Sequence, residues 1–294
     1  MKKNSENQKL AFSLIEISVV ILIIGMLIAG ISQGIDLYQD AKLSTARTLT
    51  KNSRVNRIPD LELWLETSLD ESFIPSEKIH NSNISTWLDI NNQSNFKKSV
   101  SQSTTDQKPK YILQAFDNSL PAVQFDGSND NFPFNSTYMN GGNFTIFAVE
   151  QRRSAGTNKY FIGGGNGVFH LGYSTSSTIR VGQYGVLDAN FFDHTVNSFK
   201  TSEIIPRIHS FILSSTNGKK YWLNGGSAPD KSSSNLTTLS NFSGYIGVTE
   251  FSRQNPHHFN GDIGEIIIFS RELTDRERID VEKYLSKKFN ISLS

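Results

Sequence analysis

The chain has 294 residues, a formal net charge of +1, 37% hydrophobic residues and no cysteine. So even a charge balance excludes a surface built to hold nucleic acid, which needs a basic excess or a basic stripe. Without cysteine there is no disulfide framework, thiolate zinc site or cysteine nucleophile.

Residues 1–11 are short and polar, with Lys2, Lys3 and Lys9 as cations and Glu6 as the acid. Phe12 to Ile31 then forms an apolar run of the about 20 residues that cross ~30 Å of hydrocarbon as a helix. Cations ahead of such a run favour keeping that end in the cytoplasm, but Lys42, Arg47, Lys51, Arg54 and Arg57 follow it, so charge alone does not orient the span. A cleavable signal peptide, cut before Gln33, and an uncleaved signal anchor are the competing readings of the run. Glu16 speaks against the first, because a charge inside the apolar core of a signal peptide is poorly tolerated. Ile35, Leu37, Ala41, Leu43, Ala46 and Leu49 continue the apolar spacing, which predicts one long helix from about Ser13 to about Arg54, stopped near Pro59.

The stretch Ala11-Phe12-Ser13-Leu14-Ile15-Glu16, leading into that span, resembles the N-terminus of type IV prepilins. The resemblance implies that a prepilin peptidase cuts between Ala11 and Phe12 and that the new amino terminus on Phe12 is methylated. It also implies that Glu16 pairs with a neighbouring Phe12 amine when pilin-like subunits assemble. The family usually carries Gly where this chain has Ala11. The expected partners are therefore the peptidase, other pilin-like subunits and the inner membrane. The globular domain would lie in the periplasm, or outside the cell on a pilus.

From Asp60 onward the chain is rich in Ser, Asn, Thr, Gly and aromatics, a composition that favours β structure with many turns. About a dozen strand-like segments recur between turn signals, which predicts two facing sheets. Phe144 to Val149 is apolar on both faces, as in a strand buried on two sides. Thr274 and Glu277 have the spacing of a capping box, opening a helix that runs to about Phe289. With Leu61-x-x-Trp64-Leu65, Thr86-Trp87-Leu88-Asp89 and Pro121 to Gly127, this order resembles the concanavalin A-like, LamG-type jelly roll. The expected fold is mainly β: a long N-terminal transmembrane α-helix, then a two-sheet antiparallel β-sandwich with a short C-terminal helix. The expected divisions are a leader at 1–11, a pilin-like helix at 12–58 and the sandwich at 59–294.

Glucanases on that fold resemble one another in a Glu-x-Asp-x-Glu strand, where alternation sets the acids on one face. No such strand occurs here. Asp262 and Glu265, three apart, point to opposite sides of a regular strand, so Asp262 reads as a turn former and Glu265 as a partly exposed edge residue. Adjacent His257 and His258 diverge in direction and read as a solvated loop. Asp126 and Asp130 flank a tight turn whose oxygens suit calcium, the one cofactor the sequence raises. Tyr184, Phe191, Phe192 and His194 are the ligand-binding candidates, for glycans or a host surface protein. The resulting expectation is a non-enzymatic pilin-like subunit of a type IV pilus or type II secretion-like filament that displays a lectin-like domain. Its alternative is a membrane-anchored carbohydrate-binding or carbohydrate-cleaving surface protein that does not enter a filament.

Overall fold

The structure is a computed structural model that describes residues 13–165, 169–183, 191–250 and 256–294. It divides into two compact units, Met1–Lys42 and Leu43–Ser294. Helix α1 (Leu14–Asn52) carries the apolar run, whose side chains are exposed, Ile21 by 63% for example. It is long and apolar enough to cross a membrane. Its first turn is capped reciprocally: Ser13 N donates to Glu16 Oε2 at 2.7 Å, and Glu16 N donates to Ser13 Oγ at 3.2 Å. The acid that stands out in the apolar run thus has a partner within its own helix.

Among the described residues, the second unit holds the last turns of α1, eighteen strands and a C-terminal helix. In chain order the strands are β1 (Leu61–Glu66), β2 (Thr86–Trp87), β3 (Val100–Ser101), β4 (Lys110–Phe116), β5 (Leu120–Asp126) and β6 (Phe132–Phe134). Then come β7 (Phe144–Arg152), β8 (Lys159–Gly164), β9 (His170–Thr175), β10 (Thr178–Gly182), β11 (Phe191–Thr195) and β12 (Arg207–Ser214). The last are β13 (Gly218–Leu223), β14 (Lys231–Ser233), β15 (Gly244–Ile246), β16 (Val248–Glu250), β17 (Pro256–His258) and β18 (Asn260–Phe269), before helix α2 (Asp275–Phe289).

They form three sheets. The first runs β14-β13-β12-β7-β18-β5-β4 with β1 also on β18, the second runs β11-β10-β9-β8-β15-β6 with β16 and β17 attached, and β2 pairs β3 in the third. The expected plain two-sheet antiparallel jelly roll is therefore corrected. A third sheet is present, β17 joins β8 in parallel through His258 and Tyr160, and helices cover the free face of the first sheet.

Alternation along β7 explains the layering. Phe144, Ile146 and Ala148 pack in the core between the two large sheets, with Phe161, Phe169, Leu171 and Phe211. Phe147 and Val149 face the other way, onto Val281, Leu285 and Phe289 of α2 and Ala46 in the last turns of α1. Every residue of β7 is buried, as its two-sided apolar pattern requires. Helix α2 opens with the Thr274–Glu277 capping box and closes on Asn290 in the left-handed conformation.

Strand β18 organises the helix-covered face. One edge pairs with β7 throughout, whereas the other is divided, Asn260 to Ile263 with β5 and Glu265 to Phe269 with β1. The register shifts between Ile263 and Glu265, where the partner changes. Gly264 sits in this bulge because an added Cβ would come within 2.5 Å of the Phe289 ring and 2.9 Å of the Phe116 ring.

Candidate functional site on the helix-covered face

The bulge at Gly264 corrects the placement of the two acids. Ile263 and Ile266 both enter the core between the large sheets, so Asp262 and Glu265, one residue before each, both face the helix side. Neither is a turn former or an exposed edge residue, since both are fully buried.

Glu265 belongs to a buried network reaching the end of α1. Its Oε1 accepts from Trp64 Nε1 at 2.6 Å and from Tyr284 OH at 2.8 Å, and its Oε2 accepts from Lys288 Nζ at 2.9 Å. Lys288 also donates to Glu66 Oε2 at 2.7 Å, and Tyr284 OH lies 3.0 Å from Thr50 Oγ1. Burial pushes the Glu265 carboxyl up, the nearby Glu66 charge adds to this, and its pKa is raised. Burial acts the same way on Glu66, but the Lys288 charge and hydrogen bonds from Lys288, Ser68 and Ser72 outweigh it and its pKa is lowered. Lys288 is held charged by the two acids against its own burial. With Lys288 donating to both acids and all three groups buried, the network holds β1, β18 and α2 together.

Asp262 has a different setting. It accepts from Gln124 Nε2 at 2.9 Å, Gln151 Nε2 at 2.8 Å, and Arg153 Nε at 2.8 Å on Oδ1 and 2.7 Å on Oδ2. Alternation on β5, β7 and β18 brings these groups together, because Gln124 and Gln151 are the cross-strand partners of Asp262. Arg153, directly after β7, lines an open cleft of about 370 Å³ together with Gln114, Asp117, Asn118, Gln151 and Asn290. Asp117 and Asn118 reach it from the β4–β5 turn, where both have positive φ, as a tight hairpin requires.

A smaller cleft of about 260 Å³ lies over Trp64 and is lined by Thr50, Lys51, Asn56, Glu71, Asn92 and Lys97. Asp89 at its wall accepts from the backbone N–H of Trp64, Asn91 and Lys98 at 2.9–3.0 Å, so its carboxylate shapes the loop. Between the large sheets a second polar cluster is buried. Glu150 Oε1 accepts from Tyr173 OH at 2.6 Å and lies 2.9 Å from His209 Nε2, while Arg207 donates to Tyr173 OH at 3.0 Å. Burial lowers the His209 pKa and raises that of Tyr173 well above its usual value.

The residues singled out in the sequence are dispersed. Ala11, Phe12 and Tyr184 lie outside the described residues, as do the side chains of Phe191 and Phe192 on β11. His194 is on the same strand, its ring 6.2 Å from that of Tyr221. His257 and His258 form β17 rather than a loop. Asp126 Oδ1 accepts from the backbone of Ser128 and Asn129 at 2.8 and 3.2 Å, and Asp130 Oδ2 accepts from Asp126 N at 2.9 Å. Both acids line a cleft of about 240 Å³ with Asp106, Lys108 and Lys110. The sequence reading missed Arg153, whose signal is the Gln-Arg-Arg end of an otherwise apolar strand, and Lys288, whose helical position four after Tyr284 sets both on one face.

No protein-family model matches the chain, and no curated protein matches it. Solved structures do match in fold. Trypanosoma rangeli sialidase in complex with sialic acid is similar at a TM-score of 0.51 and 13% identity, covering 81% of this chain and 34% of that one. The same enzyme's complexes with a difluoro-KDN and with 2,3-difluorosialic acid each give 0.50 and 12% identity over the same shares. This chain thus spans about a third of the length of the sialidases it resembles.

These findings correct the prepilin and LamG-type reading. The fold likeness is to sialidases. The expectation of a non-enzymatic filament subunit, with a prepilin peptidase and pilin-like subunits as partners, gives way with it.

Proposed function

We propose that this chain is a membrane-anchored, carbohydrate-active surface protein that presents its β unit to glycans outside the membrane. The observation that carries the reading is the fold likeness to sialidase over 81% of the chain. The apolar helix supplies the anchor, and the open clefts lined by amides, hydroxyls and charged groups supply surfaces of the kind that hydrogen-bond sugar hydroxyls. The test is a glycan array, run alongside a panel of chromogenic glycosides, using the full chain in a detergent without sugar headgroups. Saturable binding or turnover supports the proposal. Neither binding nor turnover by a chain that melts cooperatively would contradict it.

A further inference from the structure

We propose that the Arg153 cleft is a binding site for a neutral saccharide, with adjacent ring hydroxyls accepting hydrogen bonds from Nη1 and Nη2 of Arg153. This inference rests on the carbohydrate reading above and adds a place and a ligand class to it.

Three observations carry the assignment. The first is Arg153 itself. Its Nε is committed to both oxygens of Asp262, while Nη1 and Nη2 make no hydrogen bond to any described residue. Its side chain is 33% exposed, whereas Asp262 beneath it is completely buried. A guanidinium is a rigid planar fork, so fixing Nε fixes the direction of the two terminal nitrogens. Asp262 is in turn held by Gln124 and Gln151, which makes it a positioning residue for Arg153.

The second observation is the size and lining of the cleft. At about 370 Å³ it falls within the roughly 300–1,000 Å³ range of small-molecule sites, and the cleft over Trp64 falls below it. The lining combines the guanidinium of Arg153, the amide side chains of Gln114, Asn118, Gln151 and Asn290 and the carboxylate of Asp117. That mixture suits hydroxyls, which donate and accept at once. Phe289, the aromatic residue in the lining, is 2% exposed and offers no open ring face. Recognition therefore runs through hydrogen bonds rather than stacking.

The third observation sets the class. The charged groups that meet at the cleft are Arg153, Asp117 and, behind Arg153, Asp262. The charge of Arg153 is already balanced by the carboxylate it touches. A sugar carrying its own carboxylate would enter a site without spare positive charge, so an uncharged saccharide is favoured.

The test uses the full chain in detergent without sugar headgroups, with neutral and carboxylate-bearing oligosaccharides as probes in equilibrium binding. The expected result is binding of neutral probes that Arg153→Lys weakens at least tenfold. Lys preserves a cation for Asp262 but loses the terminal fork, so the melting temperature should hold. Gln114→Ala, on the exposed rim, should weaken the same probes, and Lys231→Ala on the exposed strand β14, outside both clefts, should leave them unchanged. Neutral-probe binding indifferent to both Arg153→Lys and Gln114→Ala would overturn the site while leaving the carbohydrate reading intact. Binding confined to carboxylate-bearing probes would overturn the ligand class. No binding and no turnover with any glycan would overturn the carbohydrate reading and this inference together.

Discussion

Glu66 and Glu265 face each other across β1 and β18 and share one ammonium, that of Lys288, at 2.7 and 2.9 Å. Two fully buried carboxylates on adjacent strands repel one another, and Lys288 is what makes the arrangement tolerable. Lys288→Met therefore strands two buried acids and should cost about 3–5 kcal/mol. Lowering the pH offers the stranded acids protons, so the stability gap between variant and wild type should narrow between pH 7 and pH 4.5. Denaturant melts of the full chain at the two pH values check this. An unchanged gap, or a variant as stable as the wild type, would contradict the network.

Gly264 is predicted to tolerate no side chain. Gly264→Ala drives a methyl into the rings of Phe289 and Phe116, at a cost of about 1–3 kcal/mol. Because the bulge sets Asp262 and Glu265 on one face, the change should also displace α2. Slowed or quickened amide exchange at Tyr284 to Phe289 would report that displacement, and exchange identical to wild type would argue against it.

Asp130 gives a stability change of defined sign. Burial raises its carboxyl from 3.8 to about 6, so the folded protein holds that proton more tightly than the unfolded chain. Its stability contribution is therefore lost as pH rises from about 4 through about 6. Asp130→Asn keeps an acceptor for Asp126 N but removes the charge. The variant should melt higher than wild type at pH 7.5 and level with it near pH 3.5. A variant that melts lower at pH 7.5 would show that the ionised carboxylate is needed there.

At the other end of the chain, Glu16→Ala should fray the first turn of α1 by removing the bond to Ser13 N, whereas Glu16→Gln should retain much of it. Amide exchange over Leu14 to Ser18 in micelles distinguishes the two variants. Equal protection in both would mean that the cap contributes nothing.

How much was legible in the sequence depended on the range of the interaction. The apolar helix, the Thr274–Glu277 cap and the two-sided burial of β7 are local patterns with local causes, and they read directly. At Glu16 a second local pattern went unread: an acid three residues after a Ser at the start of an apolar helix is also a capping box, and both of its hydrogen bonds are present. On β18 the alternation rule failed at one residue. A single bulge at Gly264 reverses the side on which Glu265 emerges, and its cause, the change of partner from β5 to β1, lies in segments far apart in the chain. The partners of Arg153 were hidden for the same reason, since Asp262, Gln124 and Gln151 meet only through strand pairing.

The most direct test of the central claim is to pass a mixed pool of released surface glycans over the immobilised full chain and to follow both the retained and the unretained fractions by mass spectrometry. Particular saccharides should be retained or shortened, and heat-unfolded protein should leave the pool unchanged. A folded chain that neither retains nor shortens any saccharide would contradict that claim.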